Sequence, residues 1–300
     1  MRIPARRPTL AVAALVLAAA TACSSGQEDS EAGSGLLTGL GTLAGEAGTK
    51  QVTYLDAAEV RKLSKDAPKR FAAVSQPAGP LLNASAPGSL GTTFKETQID
   101  TAVDTEEAGH WEGSFDADGI TAALKSNGYS SGEKDGKEVW TRPDGSGAAI
   151  RVSDDAVSYS VRDSDPMSLV DPEEGSSLAD DKNFRRAAEC LGDVYRADFA
   201  PRGSSGPVRL ASLGQRATSA AENTEVLCFV VKDDTAAEAL GSELREIVDT
   251  ESPKFDGTKV TVEKGDQPLV RAVVPDTADQ RPGRLIISDI ELWTASAQDS

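Results

Sequence analysis

The chain is short of the residue types on which most catalytic and metal sites depend. Its 300 residues include one histidine, His110, three cysteines and 5% aromatic residues. One imidazole cannot supply the three or four nitrogen and sulfur ligands of a zinc site, and no G-x-S-x-G nucleophile elbow accompanies it. Asp116-Ala117-Asp118-Gly119 looks like the opening of a calcium loop, but position 12 of that loop is Asn127 instead of a glutamate. The motifs therefore predict no catalytic residue, no metal site and no cofactor.

Basic residues are also scarce relative to acids. The chain has 31 Lys and Arg against 48 Asp and Glu, a formal net charge of −17. Nucleic acid binding depends on clustered basic side chains that displace condensed cations, and no such cluster with interleaved aromatics exists. We therefore expect no nucleic acid partner. Strong self-repulsion also favours a monomer.

No apolar run reaches the 20 or so residues that a membrane-spanning helix requires. The longest candidate begins at Leu10 and is followed by Ala20-Thr21-Ala22-Cys23, while three arginines precede it, at positions 2, 6 and 7. A positive start, a short apolar segment and small residues before a cleavage point are typical of an export signal. We expect residues 1–22 to be removed.

These N-terminal residues resemble bacterial lipoprotein precursors. The resemblance implies that a diacylglycerol is attached to the Cys23 thiol, that the signal is cleaved just before it, and that the protein lies at the outer face of the cell membrane. Ala20 stands where leucine is commonest in those precursors, so ordinary secretory cleavage is the alternative. Loss of residues 1–22 removes three arginines and no acid, which leaves a net charge of −20. Acyl chains, each buried methylene contributing about 0.8 kcal/mol, would then hold the protein on the membrane.

The two remaining cysteines, Cys190 and Cys228, form the one possible pair if Cys23 carries lipid. Exported proteins meet oxidising conditions, so we expect a disulfide between them. Two small buried thiols, one on a helix and one on a strand, are the alternative.

Residues 23–50 are rich in Gly, Ser, Ala, Thr and Glu. This composition predicts a flexible tether between the lipid and a folded body. The leucines at positions 36, 37, 40 and 43 leave a second arrangement open, in which part of the segment packs on the body.

Capping signals and hydrophobic periodicity predict four helices, at 57–66, 117–127, 182–196 and 236–248. Asp56 with Glu59 forms a capping box for the first, and Asp116 begins the second. The third follows Asp180-Asp181. The fourth starts near Thr235.

Strands are predicted between the helices. Residues 148–152 and 157–161 alternate in polarity around Asp154-Asp155 and predict a hairpin, as do residues 260–262 and 270–274 around Gly265-Asp266. Residues 226–231 and 285–293 are predicted as two further strands. The resulting fold class is α+β, with antiparallel or mixed sheets and packed helices.

The two halves of the chain have a similar order of predicted elements. This order favours two duplicated α+β modules, at 51–165 and 176–300, separated by a linker rich in proline, glycine and acids. One body of about 250 residues with a single continuous sheet is equally compatible with the length.

Gly113-Ser114-Phe115-Asp116 and Ser177-Leu178-Ala179-Asp180-Asp181, the latter ahead of Phe184, resemble motifs of uncharacterised exported bacterial proteins, many of them actinobacterial lipoproteins. The resemblance implies architecture and location, and no activity. We therefore expect a lipid-anchored, non-enzymatic binding or envelope-interaction module, with the membrane and an envelope protein as partners. A cell-envelope hydrolase with paired carboxylates is one alternative. A solute-binding receptor is the other, although the chain lacks the βαβ succession of doubly wound lobes.

Overall fold

The computed structural model describes residues 34–46, 49–82, 93–162 and 166–297, which belong to one compact unit. The predicted signal, Cys23 and the first part of the predicted tether lie outside these residues. The helices are α1 (Ser34–Leu40), α2 (Ala57–Ser64), α3 (Pro68–Phe71), α4 (Ala117–Ser126), α5 (Lys182–Leu191), α6 (Asp234–Thr250), α7 (Arg284–Ile287) and α8 (Glu291–Thr294). The strands are β1 (Val52–Asp56), β2 (Ile99–Thr105), β3 (Ala108–Gly113), β4 (Ser130–Lys134), β5 (Lys137–Thr141), β6 (Ala149–Val152), β7 (Ala156–Ser160), β8 (Arg196–Pro201), β9 (Val208–Ala217), β10 (Asn223–Val231), β11 (Lys259–Glu263) and β12 (Leu269–Pro275).

All twelve strands join one sheet, in the order β11-β12-β10-β9-β8-β1-β2-β3-β7-β6-β5-β4. Every neighbouring pair is antiparallel. The α+β prediction is confirmed in this form, as a mixture of helices with an antiparallel sheet. The strands of the two predicted modules meet at the β1–β8 pair in the middle of the sheet, where Thr53 lies opposite Asp198.

Helices cover both faces of the sheet. On the face that we call the α5 face, α1 and α5 pack over the central strands, with Leu40, Phe184 and Leu191 in their shared core. On the opposite face, the α6 face, α2 and α4 cover the first half of the sheet, and α6, α7 and α8 cover the second half. Alternate residues of the central strands are therefore buried on both sides.

The predicted helix caps agree with the structure. Asp56 accepts the Glu59 amide at 2.7 Å and Asp116 accepts the Gly119 amide at 3.0 Å, so α2 and α4 begin where their sequences indicate. The helix predicted from Thr235 begins one residue earlier, with Asp233 accepting the Ala236 amide at 2.8 Å.

The prediction of helix over 182–196 is too long. Gly192, at a φ of 69°, ends α5, and Arg196 already begins β8. A left-handed residue at this position cannot continue a helix, and glycine adopts it without a steric cost.

The predicted strand over residues 285–293 is wrong. The segment instead forms the short helices α7 and α8. Leu285 on α7 and Leu292 on α8 are both buried, so each short helix turns one leucine into the core and no strand alternation is needed.

Residues 34–46 of the predicted tether are instead part of the folded body. Leu36, Leu40 and Leu43 expose 3%, 0% and 1% of their surface. Beyond α1, Leu43 and Ala44 form β-bridges with Val170 and Ser177. The segment is ordered despite its glycine-rich composition because its leucines pack against apolar residues of β1, β2 and α5. Burial of these leucines favours the folded state.

Within the described part of the chain, every helix is too short or too polar to traverse a bilayer.

Candidate functional site

Of the predicted site residues, Cys190 and Cys228 lie in the described part of the chain, and Cys23 does not. Cys190 on α5 and Cys228 on β10 form the expected disulfide, with sulfur atoms 1.97 Å apart and Cα atoms 6.2 Å apart. The pairing is thereby confirmed. It attaches α5 covalently to the sheet that it covers.

A buried group of charged and polar side chains crosses the centre of the sheet on the α6 face. Thr53 of β1 lies opposite Asp104 of β2 on one side and Asp198 of β8 on the other. The Thr53 hydroxyl donates to Asp198 Oδ1 at 3.1 Å. We call Thr53, Asp104, Arg196 and Asp198 the central polar cluster. It lies where the two halves of the sheet join.

Asp104 is the carboxylate of this cluster with the most perturbed environment. Its Oδ1 accepts Trp111 Nε1 at 2.9 Å and the Tyr159 hydroxyl at 2.6 Å, and its Oδ2 accepts the Ala78 amide at 3.1 Å. Burial raises the pKa of Asp104 to about 6, although these hydrogen bonds favour the ionised form.

Residues 76–81 close the cluster from above, and we call them the cover segment. Arg196 donates from Nη1 to the Gln76 carbonyl at 3.2 Å, and from Nε to Asp198 Oδ2 at 2.9 Å. A Cβ atom on Gly79 would lie 1.9 Å from the Tyr159 hydroxyl oxygen, so a glycine is required for this close approach. The cover segment therefore fits the cluster closely and leaves Asp104 2% exposed.

A second buried network surrounds Glu225 on β10. Its Oε2 accepts Gln215 Nε2 at 2.9 Å and its Oε1 accepts the Arg284 amide at 3.0 Å. Arg284 in turn donates from Nε to Asp276 Oδ1 at 2.8 Å. Burial, and then the charge of Asp276, raises the pKa of Glu225 above the ordinary range of a glutamate.

These buried acids connect elements and do not present an open reactive group. A general acid or base must come within about 3 Å of a substrate atom, directly or through one water. Asp104 lies beneath the cover segment, and Glu225 is fully buried beneath the start of α7. Their hydrogen bonds hold these segments onto the sheet.

The chain has no match among protein-family models, curated proteins or solved structures.

The open, charged surface of the second half is of a different kind. Arg216 of β9, Arg271 of β12, and Lys259 and Thr261 of β11 share the α5 face, and we call them the basic sheet face. Lys259 and Thr261 are exposed, and the two arginines are partly exposed. α5 packs over β9 and β10, so it leaves the outer strands of this face accessible.

His110, the one histidine, and the acid Asp171 both make polar contacts within the protein. His110 Nδ1 lies 2.8 Å from the Ser158 hydroxyl across the β3–β7 pair, and burial lowers its pKa. Asp171 pairs with Lys137 at 2.5 Å and with Arg151 at 2.7 Å. Among the described residues, no group of three or more His, Cys, Asp or Glu side chains is arranged to hold a metal ion.

Sequence reasoning missed the central polar cluster and the Glu225 network. Each acid stands among apolar strand residues at an inward-facing position, as Asp104 does next to Val103 and Glu225 next to Val226. Side chains alternate between the two faces of a strand, so the position of each acid relative to its apolar neighbours indicates that the acid faces the core. This indication requires that β2 and β8 are first recognised as strands.

Proposed function

We propose that this protein is a lipid-anchored module of the bacterial cell envelope that binds another molecule and has no catalytic role of its own. The observation that carries the proposal is the Cys190–Cys228 disulfide. It occupies two of the three cysteines, so Cys23, directly behind the signal-like segment, is the one thiol left to accept a lipid. A disulfide is also the state expected of a protein exported to an oxidising compartment.

The binding role is supported by the contrast between the buried acids and the open surface. The acids with raised pKa values are enclosed and hydrogen-bonded to the protein, as for Asp104 and Glu225. The basic sheet face, by contrast, is partly open to solvent, and its Arg216, Lys259 and Arg271 form no ion pair with any residue that the structure describes. A surface of this kind suits recognition better than catalysis.

We further propose that the two halves arose by duplication. The strands of the first half contain the order β1-β2-β3-β7-β6, and those of the second half follow β8-β9-β10-β12-β11. In each half a helix precedes the first strand and another follows the third, α1 and α4 in one and α5 and α6 in the other. The β4–β5 hairpin and residues 57–98 are then insertions in the first half.

The anchor is tested by replacing Cys23 with alanine in the producing cell. We expect the variant to leave the membrane fraction or to remain unprocessed, because no thiol remains for the diacylglycerol. Ser25→Ala, two residues away, is the matched control and should stay anchored. Intact mass of the native protein should equal residues 23–300 plus lipid; an unmodified mass with normal secretion would refute the anchor.

The binding role is tested by crosslinking on intact cells followed by mass spectrometry of the captured complexes. We expect one recurrent envelope partner that crosslinks to the second half of the chain. Turnover of cell-wall substrates by the purified protein, lost on Asp104→Asn, would favour the hydrolase alternative instead.

A further inference from the structure

A small cavity lies beside the first turn of α5. Four segments of the second half enclose it: the start of α5, the start of β9, the end of β10, and the turn between β11 and β12. Its volume is about 130 Å³. Pockets for drug-sized ligands begin at about 300 Å³, so this cavity fits one small chemical group.

The lining of this cavity is strongly basic. Lys182 of α5, Arg209 of β9, and Lys232, which follows β10, all line it, and we call this cavity the cationic pocket. None of the three forms an ion pair with any residue that the structure describes. Asp266, in the β11–β12 turn, is the one acid among the described residues of the lining. Three bases against one acid give the pocket a net charge of +2, on a chain whose net charge is −17.

Acids in the segments around the cationic pocket are engaged with other groups. Asp181 and Asp233 accept backbone amides as the caps of α5 and α6. Asp234 accepts a backbone amide of the β11–β12 turn at 3.0 Å, and Glu263 pairs with Arg186. Because Asp181 already occupies amides of the first turn of α5, an anion in the pocket has to be held by side chains.

Hydrogen bonds between the surrounding segments hold the walls of the pocket in place. The Lys232 amide donates to the Pro207 carbonyl at 2.9 Å, which joins the end of β10 to the start of β9. Gln267 Nε2 donates to the Lys182 carbonyl at 3.1 Å, which joins the β11–β12 turn to α5. A ligand therefore meets a backbone that is already ordered, and little of its binding free energy is lost to ordering the site.

We propose that the cationic pocket binds a phosphate group. Three positive charges that share one small cavity repel each other, and a doubly charged anion offsets the net charge of the lining. A phosphate ester carries nearly two negative charges and three strong acceptor oxygens, one for each of Lys182, Arg209 and Lys232. A carboxylate carries one charge and two oxygens, so it matches the pocket less well. The side chain of Asn183, which also lines the cavity, is a further donor.

This site goes beyond the proposed binding role. Arg209 lies near the start of β9, whereas Arg216 of the basic sheet face lies near its end, so the two basic surfaces are separate. The phosphate group can belong to a soluble phosphorylated compound or to a phospholipid head group, because both present the same oxygens to the pocket.

The first test is a calorimetric titration of the processed full-length protein in neutral detergent and phosphate-free buffer of low ionic strength. The probes are inorganic phosphate and glycerol 3-phosphate, with acetate for comparison. We expect saturable binding of both phosphates with a Kd below about 1 mM, and acetate at least about tenfold weaker. No saturable binding of either phosphate up to about 10 mM would overturn the proposal. Acetate binding as tight as that of phosphate would overturn the assignment to phosphate.

The location of the site is tested with Lys182→Gln and Lys232→Gln, whose native side chains make no ion pair among the described residues. Each variant should weaken phosphate binding by about tenfold. Lys69→Gln removes the same charge at an exposed position of α3, so it is the matched control and should leave affinity unchanged. An equal loss in all three variants would indicate a general charge effect and would overturn the site. Thermal melting confirms that each variant is folded.

Asp266→Asn tests the same pocket in the opposite direction. It removes the negative charge from the lining, so it should strengthen phosphate binding by about threefold. Weaker binding in this variant would contradict the charge argument on which the proposal depends.

Phosphatidic acid in the detergent micelles separates a lipid source from a soluble one, because its head group is a phosphate monoester. Displacement of glycerol 3-phosphate by this lipid, reduced in Lys232→Gln, would assign the pocket to a head group. Binding of the soluble probes without displacement by the lipid would assign it to a soluble compound, and both results support a phosphate site. Displacement that is unchanged in Lys182→Gln and Lys232→Gln would overturn the pocket as the site.

The phosphate titration does not depend on the lipid anchor or on an envelope partner. Failure to bind phosphate leaves the Cys23 and crosslinking results standing. Loss of the anchor in turn leaves the phosphate result standing, so the two proposals fail separately.

Discussion

At the scale of single residues, the centre of this sheet is held by charges where aliphatic side chains are the usual choice. Asp104, Arg196 and Asp198 lie within the core and are tied to Thr53 and to the cover segment. Removing one member of such a group leaves its partner buried and unpaired. The resulting loss of folding free energy is larger than the net stabilisation that the intact pair provides. The cluster specifies how the cover segment meets the sheet.

The raised pKa of Asp104 predicts a pH dependence. A carboxyl with a native pKa of about 6 and an ordinary value of 3.8 holds its proton longer in the folded state. The free energy of unfolding should therefore fall as pH rises from about 4 to about 6, by up to ~3 kcal/mol from this group. In Asp104→Asn this contribution is absent.

Urea unfolding of the native protein and of Asp104→Asn at a series of pH values checks this expectation. The difference between the two stability curves isolates Asp104 from the other titrating groups. It should change between pH 4 and 6.5 and stay constant above pH 7. Two parallel curves would show that Asp104 ionises normally in the folded protein.

At the scale of elements, α1 is the segment whose role the sequence left most open. α1 has only seven residues, and an isolated helix of this length is unstable in water because helix nucleation is unfavourable. The helix exists here because Leu36 and Leu40 enter the core of the α5 face. Residues 34–40 of the predicted tether therefore belong to the folded body.

Leu40→Ala should destabilise the protein by about 2–5 kcal/mol, because it removes a fully buried side chain from a packed core. Thr38→Ala, at an exposed position of the same helix, is the matched control and should change stability by less than about 0.5 kcal/mol. Chemical unfolding of both variants gives the comparison. A neutral Leu40→Ala would mean that α1 does not dock in solution.

The β4–β5 hairpin is a second element that the sequence analysis omitted. Its turn is Asp135-Gly136, and both residues have positive φ, 55° and 72°. This dipeptide is a strong hairpin signal, but β4 on one side of it is exposed and polar, and β5 on the other side has only Val139 and Trp140 as buried residues. Hydrophobic alternation, on which strand prediction relies, is weak in such an edge.

At the scale of the whole molecule, one sheet passes through both predicted modules. β1 pairs with β8 along four residues, and the central polar cluster lies across the same join. Burial of charged groups at a join makes separate opening of either half costly, since it would expose the core and break buried pairs. We therefore expect the two halves of the sheet to unfold as one cooperative body.

Hydrogen exchange followed by mass spectrometry at increasing urea should therefore show a common opening for β2–β3 and β9–β10. The edge strand β4 is the internal control, and its exposed amides should exchange earlier through local fluctuations. Protection of β9–β10 that persists after β2–β3 has fully exchanged would show that the two halves unfold independently.

The sequence by itself determined the local features: the helix starts at Asp56 and Asp116, the hairpin around Asp154-Asp155, and the pairing of Cys190 with Cys228. These depend on neighbouring residues or on a count of three cysteines. Tertiary structure alone decided the order of twelve strands, the docking of α1, the short helices α7 and α8, and the hydrogen bond between Thr53 and Asp198. Such outcomes depend on which distant segment occupies each side of a strand, and burial free energy at those contacts overrides local preference.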